Sequence, residues 1–167
     1  KGLADEQDGV QLMKPMPDLD ALLERARAKN IFGTKERSVI NASNEKGIEA
    51  IVAQQFEIGK QVLSHGLMPI LEPEVNIKIA DKAETEDMLL ATIRKHLADV
   101  PEGEKIMLKL SIPTKANIYK PLIEDPRVMR VVALSGGYSR DEANALLSKN
   151  EGMIASFSRA LHCRLCQ

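Results

Sequence analysis

Tryptophan is absent from this sequence, and cysteine and tyrosine occur only twice each among its 167 residues. Because both cysteines lie within the last five residues, they cannot link distant parts of the chain through a disulfide bond. This favours a reducing, cytoplasmic compartment. No run approaches the roughly 20 apolar residues of a membrane span, and no apolar signal core follows Lys1. Its 23 basic and 24 acidic residues nearly balance, which favours neither nucleic acid nor an anionic membrane as a partner.

Short apolar runs alternate with longer amphipathic stretches along the chain. Five runs have the length of buried strands, namely residues 38–40, 67–71, 106–110, 128–134 and 153–157. Helices are predicted between them, with N-caps at Asp18, at Ser43 or Asn44, and at Ser139; a further helix is predicted at residues 113–123. This alternation predicts an α/β fold with a parallel sheet. A (β/α)₈ barrel and an open doubly wound sheet both fit the pattern.

Two carboxylates, Glu72 and Glu74, follow directly after the apolar run at residues 67–71. Their spacing puts both side chains on one face of a strand, at the carboxyl end where parallel α/β folds gather their active sites. Two close carboxylates tend to differ in acidity, which suits one of them for acid–base work. The alternative is that both lie in an exposed loop and pair with nearby lysines.

Lys109 lies inside the apolar run at residues 106–110, where alternation and β-propensity predict burial. Burial disfavours the charged form of a lysine, and a neutral amine can attack a ketone to form a Schiff base. The alternative is a structural lysine that pairs with Glu72 or Glu74.

Ser135, Gly136 and Gly137 follow the apolar run at residues 128–134. Paired glycines let the backbone approach a ligand closely, and the N–H groups of such a turn suit a phosphate. An ordinary turn between a strand and a helix has the same composition. Arg159 follows the last run, and the loops after the last two strands of a (β/α)₈ barrel often form a phosphate site.

Four motifs in this order resemble class I fructose-bisphosphate aldolase, the Schiff-base type, in its bacterial form: Pro69-Ile70-Leu71-Glu72-Pro73-Glu74, Met107-Leu108-Lys109-Leu110, Ala133-Leu134-Ser135-Gly136-Gly137 and Phe157-Ser158-Arg159-Ala160-Leu161. The resemblance implies a partial (β/α)₈ barrel, about strands 4–8 with the end of strand 3, in one domain over residues 1–161. It also implies that the chain is a fragment. The fragment lacks the family's first strands, one of which carries an aspartate used in proton transfer, and it lacks the C-terminal helix. Residues 162–167 are then an atypical tail.

By this resemblance, Lys109 forms the iminium with C2 of a ketose phosphate, and Glu72 moves protons. Glu74 supports the lysines, and Lys35 keeps Lys109 neutral through like-charge repulsion. The residues that the resemblance assigns to substrate binding are Arg37, Ser135, Gly136, Gly137, Arg159 and Lys1.

The implied activity is cleavage of fructose 1,6-bisphosphate to dihydroxyacetone phosphate and glyceraldehyde 3-phosphate, and the reverse condensation, in glycolysis and gluconeogenesis. The implied partners are small sugar phosphates, without a cofactor, nucleic acid or membrane, and a homo-oligomer is compatible with the sequence. Two alternatives stay open: an inactive fragment that binds sugar phosphates, and a Schiff-base aldolase for another phosphorylated sugar. His162, Cys163 and Cys166 have zinc-like spacing, but three ligands at a chain terminus make a weak site, so no metal is expected.

Overall fold

The computed structural model describes residues 2–158, which form one six-stranded sheet flanked by helices. The strands are β1 (Val10–Gln11), β2 (Gly33–Ile40), β3 (Met68–Val75), β4 (Ile106–Ser111), β5 (Val128–Leu134) and β6 (Ile154–Ala155). The helices are α1 (Leu19–Ala28), α2 (Glu45–Ser64), α3 (Lys82–His96), which continues into a 3₁₀ turn at Leu97–Asp99, α4 (Lys120–Ile123) and α5 (Arg140–Leu147).

The strands lie side by side in chain order, and β2 to β6 run parallel to one another. A doubly wound sheet reverses its strand order at a switch point, whereas a β/α barrel adds each strand beside the previous one. The open doubly wound alternative is therefore excluded for the described residues. The five parallel strands form an arc of a β/α barrel.

A short hairpin precedes this arc and was not predicted. In this hairpin Leu3 lies opposite Met13. The hairpin also contains β1, which pairs antiparallel with the end of β2, where Val10 lies opposite Ile40. A side chain at Gly47 of α2 would collide with the carbonyl oxygen of Asp8 at 2.3 Å, so glycine is required where the helix crosses the hairpin. Lys1, where the resemblance puts the end of strand 3 of the barrel, lies outside the described residues.

The two faces of β3 serve different purposes, because side chains alternate along a strand. Pro69 and Leu71 face Gly59 of α2, and Leu71 belongs to the main hydrophobic core between sheet and helices. Each large apolar side chain buried there contributes about 1.5–3 kcal/mol to folding. Glu72 and Glu74 alternate with these residues and therefore lie on the inner face of the barrel arc.

Local capping explains where the helices begin. Asn44 is the N-cap of α2 and accepts a hydrogen bond from the Gly47 backbone N–H at 3.0 Å. Ser139 forms a reciprocal capping box with Glu142 at the start of α5. Asp18 occupies the N-cap position of α1 without a capping hydrogen bond from its side chain.

The helix predicted at residues 113–123 was mostly wrong, since only the single turn Lys120–Ile123 is helical. Asn117 has a left-handed backbone with φ of 63°, which an α-helix does not tolerate. Its side-chain oxygen accepts a hydrogen bond from the Glu151 N–H at 2.8 Å, and its own N–H donates to Asn150 Oδ1 at 2.8 Å. These bonds tie the segment to the loop before β6.

The pairing of β4 with β5 contains one irregularity. Ile106 lies opposite Val128, but Met107 lies opposite Arg130, so Met129 is an extra residue without a partner on β4. Beyond this point the register is regular, and Lys109 lies opposite Val132.

Candidate active site

A cavity of about 360 Å³ lies on the inner face of the arc, towards the carboxyl ends of the parallel strands. It brings residues from β2, β3, β4 and the segments after β5 and β6 into one wall. The lining residues are Lys35, Arg37, Glu72, Glu74, Lys109, Leu134, Ser135, Gly136, Ser156 and Ser158. The two carboxylates and Lys109 therefore share a cavity, and neither carboxylate lies in an exposed loop.

Glu72 lies between two lysines at the centre of this cavity. Its Oε2 accepts a hydrogen bond from Lys35 Nζ, and its Oε1 lies 3.4 Å from Lys109 Nζ. The Glu72 side chain is 5% exposed and that of Lys109 is 15% exposed, whereas Lys35 is open to solvent at 43%. The ion pair foreseen for a structural lysine is thus present, but it lies where a ligand can reach both groups.

Among the described residues, Glu74 pairs with Arg37 and with no lysine. Arg37 Nε donates to Glu74 Oε2 at 2.7 Å. The resemblance assigned Glu74 to the support of the lysines, and the structure places it beside the guanidinium instead. Because a guanidinium has five N–H donors, Arg37 keeps donors for a further anion while it holds Glu74.

The two ion pairs between β2 and β3 are staggered along the strands. In the parallel register Lys35 lies opposite Ile70 and Arg37 lies opposite Glu72. Each cation nevertheless reaches the carboxylate two residues beyond its register partner. With every group ionised, three cations face two carboxylates, and the surplus of one positive charge favours an anionic ligand.

The turn after β5 has a backbone conformation that favours glycine at two successive positions. Gly136 and Gly137 have φ of 61° and 118°, in the region that favours glycine. A Cβ at Gly136 would lie 2.7 Å from Ile77 Cγ2, so both conformation and space require glycine there. Ser135 and Gly136 line the cavity, and Gly137 follows them without lining it.

Ser156 and Ser158 line the cavity and were not predicted as site residues. Both follow the short strand β6, where alternation puts them on the same face. Isolated serines carry little signal in a sequence, although their two-residue spacing is compatible with one strand face. Their hydroxyls can donate to phosphate or sugar oxygens.

Several predicted residues fall outside residues 2–158. They are Lys1 and Arg159, predicted to bind phosphate, and His162, Cys163 and Cys166, considered for zinc. Within residues 2–158, no group of three or more His, Cys, Asp or Glu side chains could hold a metal ion. No helix in this part of the chain is long and apolar enough to cross a membrane.

The sequence is 58% identical over 161 residues to the class 1 fructose-bisphosphate aldolase of Clostridium acetobutylicum. This chain is homologous to a class 1 fructose-bisphosphate aldolase. The match covers 96% of the chain and 55% of that aldolase, so the chain spans about half the length of its relative. No family model matches the sequence.

The fold agrees with this aldolase relationship. The structure matches fructose-bisphosphate aldolase from Plasmodium falciparum, which was co-crystallised with TRAP and a small-molecule inhibitor. The TM-score is 0.75 at 20% sequence identity, over 96% of this chain and 57% of the other. The predicted α/β fold, part of an aldolase barrel, is therefore confirmed.

Proposed function

We propose that this chain carries the Schiff-base site of a fructose-bisphosphate aldolase, with Lys109 as the nucleophile. The observation that carries the proposal is the position of Lys109 Nζ, 3.4 Å from Glu72 Oε1 in a cavity of about 360 Å³. An amine, an acid and a turn suited to phosphate thus line one space. The proposed reaction cleaves fructose 1,6-bisphosphate to dihydroxyacetone phosphate and glyceraldehyde 3-phosphate, or joins these two products.

In the first half of the reaction, the neutral amine of Lys109 attacks C2 of the ketose and forms a C–N bond. Proton transfer from nitrogen to oxygen gives a carbinolamine. Glu72, in its protonated form, donates a proton to the C2 hydroxyl, which leaves as water, and a C2=N iminium remains. The 3.4 Å contact supports this role because it puts the acid beside the reacting centre.

In the second half, the Glu72 carboxylate accepts the proton of the C4 hydroxyl. The C3–C4 bond breaks, its electron pair forms the C2=C3 bond of an enamine, and the iminium nitrogen becomes neutral. The aldehyde product leaves. Transfer of this proton from Glu72 to C3 forms an iminium again. Addition of water to C2 then releases dihydroxyacetone phosphate, restores the neutral amine and returns one proton to Glu72.

Lys35 supports this chemistry through charge. It holds Glu72 from the side opposite Lys109, so the carboxylate is shared between two ammonium groups when both are protonated. The role proposed for Lys35 is to hold this carboxylate beside Lys109, which is the more buried of the two lysines.

The phosphate groups bind at the two flanks of the amine. Ser135 and Gly136 offer hydroxyl and backbone donors on one flank, where Ser156 and Ser158 add hydroxyls. Arg37 offers a guanidinium on the other flank. Gly137, Arg159 and Lys1 stay assigned to phosphate binding by resemblance, and the proposed compartment is the cytoplasm.

Borohydride reduction in the presence of dihydroxyacetone phosphate tests the nucleophile. Reduction converts the iminium to a stable secondary amine, and peptide mass spectrometry should locate it on Lys109. Lys109→Met should abolish the adduct, whereas Lys105→Met, at the exposed position directly before the run that contains Lys109, should leave it unchanged. An adduct elsewhere, or none on the folded chain, would overturn the assignment.

A cleavage assay with the same protein tests the substrate. Fructose 1,6-bisphosphate and fructose 1-phosphate should both be compared, and the bisphosphate should be cleaved faster because Arg37 offers a second phosphate contact. A chelator should leave the rate unchanged. Adduct formation without cleavage would support the alternative of an inactive chain that binds sugar phosphates.

A further inference from the structure

A buried acid lies directly behind the two cations of β2. Glu36 is only 4% exposed, and among the described residues neither of its carboxylate oxygens has a hydrogen-bond partner. An ionised carboxylate without partners is very costly in a protein interior, so a group in this position neutralises instead. Burial raises the pKa of Glu36 to about 8. The residue is therefore neutral at neutral pH.

The surroundings of Glu36 are uncharged. Gln55 of α2 donates from Nε2 to the Glu36 backbone oxygen at 3.0 Å and also to Ser38 Oγ. Leu71 is the register partner of Glu36 on β3. Within the described part of the chain, burial alone accounts for the raised pKa, and no charged side chain contributes to it. The buried position of the Glu36 carboxyl group is therefore stable only while the group is protonated.

Glu36 is coupled to the cavity through the alternation of β2. Because successive side chains of a strand point to opposite faces, Glu36 lies behind the sheet while Lys35 and Arg37 line the cavity. A turn or shift of the strand would bring an ionised Glu36 to water. Such a movement would draw Lys35 away from Glu72 and Arg37 away from Glu74.

Both ion pairs of β2 cross the same strand pairing. Residues 33–40 of β2 pair in parallel with β3, and Lys35 and Arg37 reach Glu72 and Glu74 across this pairing. A shift of β2 relative to β3 would therefore change both contacts together.

We propose that neutral Glu36 is a positioning residue, which keeps β2 in place so that Lys35 and Arg37 stay on their carboxylates, and that its ionisation releases them. The proposal concerns the strand itself. Its consequence for imine formation rests on the function proposed above.

Hydrogen exchange tests the strand without any reference to catalysis. After correction for intrinsic exchange, the peptide containing β2 should lose protection between pH 7 and pH 9 in the wild type, while the β4 peptide should not. Glu36→Gln and Glu36→Met, which stay neutral at any pH, should both remove this loss. Glu57→Gln, an exposed change on α2, should behave as the wild type does. Equal pH dependence in wild type and both neutral variants would overturn the proposal.

Borohydride trapping on Lys109 tests the consequence for the site. At pH 6 the wild type and Glu36→Gln should trap at equal rates. At pH 9 only about one Glu36 in eleven is neutral, so the wild type should trap about tenfold more slowly than the variant. Equal rates at pH 9 would overturn the link to the cations. An absence of trapping at every pH would refute the proposed function, and hydrogen exchange would still decide the role of Glu36.

Discussion

Lys109 on β4 and Glu72 on β3 approach each other across neighbouring strands, with Nζ and Oε1 3.4 Å apart. The two groups are separated by 37 residues of sequence, but the parallel pairing of β3 with β4 fixes their distance. Neither group depends on a loop for its position. A site built on strands in this way holds its reacting groups more rigidly than one built on loops.

Glu72→Gln tests the role of this carboxylate. The amide keeps the shape of the side chain but cannot transfer the proton that the proposed reaction assigns to Glu72, so imine formation should slow by roughly 10²–10⁴-fold. Trapping rates measured by mass spectrometry report the effect. Glu84→Gln, an exposed change on α3, should trap at the wild-type rate. A Glu72→Gln variant that traps at the wild-type rate would show that another group moves the proton.

Two substitutions of Lys35, to methionine and to arginine, distinguish the effect of its charge on the site from the effect of its shape. The methionine variant removes the hydrogen bond that Lys35 donates to Glu72 Oε2 and one positive charge of the cavity, so trapping should slow. The arginine variant keeps the charge and should recover most of the rate. Equal losses in both variants would indicate that the shape of Lys35, and not its charge, matters.

Gly136→Ala tests the turn after β5. The added methyl group would meet Ile77 Cγ2 at 2.7 Å, and a left-handed backbone costs a non-glycine residue about 1–3 kcal/mol. Binding of dihydroxyacetone phosphate, measured by calorimetry, should weaken. Gly103→Ala is the matched control, because Gly103 also has a positive φ but nothing lies within 4 Å of an added Cβ. That variant should lose stability without losing affinity.

The stability of the chain should depend on pH through Glu36. Its pKa is about 8 in the folded chain against an ordinary value of 4.5, so the folded state binds the proton more tightly than the unfolded state does. The stabilisation is complete below pH 4.5 and is lost as pH rises through 8. The loss relative to Glu36→Gln should reach several kcal/mol, with about 5 kcal/mol as an upper value. Denaturant unfolding at pH 5, 6.5 and 8 measures it, and parallel curves would contradict it.

The buried ion pair Lys82–Glu86 should matter for stability alone. Lys82 Nζ donates to Glu86, and to the Ile112 carbonyl at 2.8 Å, while Glu86 Oε2 accepts from the Thr114 N–H at 2.8 Å. Removing one partner leaves an uncompensated charge, so Lys82→Met should cost about 3–5 kcal/mol. Lys82→Met/Glu86→Leu should cost less than the two single changes together.

Chemical denaturation measures these costs. Lys115→Met, which breaks the exposed ion pair between Lys115 and Asp87, serves as the control and should cost less than about 1 kcal/mol. If the Lys82 variants lose no more free energy of unfolding than this control, the buried pair contributes no more to stability than an exposed one.

The parts of the site that follow from strand periodicity could be predicted from the sequence. Lys109 interrupts an apolar run, and Glu72 and Glu74 end another, so their types and spacing carry a signal that needs no structure. Strand periodicity could not, however, distinguish a barrel arc from a doubly wound sheet. Strand order is a tertiary property, and both folds share one alternation of strands and helices.

Other features depend on contacts between distant residues and leave no local signal. Glu36 stands between Lys35 and Arg37, and such a run of charges looks like a solvated face. Only the position of α2 over one side of β2 reveals that Glu36 is buried. The hairpin at β1 is similarly hidden, because a pairing of two residues is too short to show periodicity.

Met129 shows how the sheet absorbs an extra residue without disturbing the site. It is the unpaired residue near the start of β5, 42% exposed, and the Ser135–Gly136 turn follows the other end of that strand. Because the pairs Ile106–Val128 and Met107–Arg130 follow one another on β4, the bulge confines the extra residue to one point of β5. Lys109 therefore keeps Val132 as its partner, and the strand that leads to the turn stays in register with the strand that carries the amine.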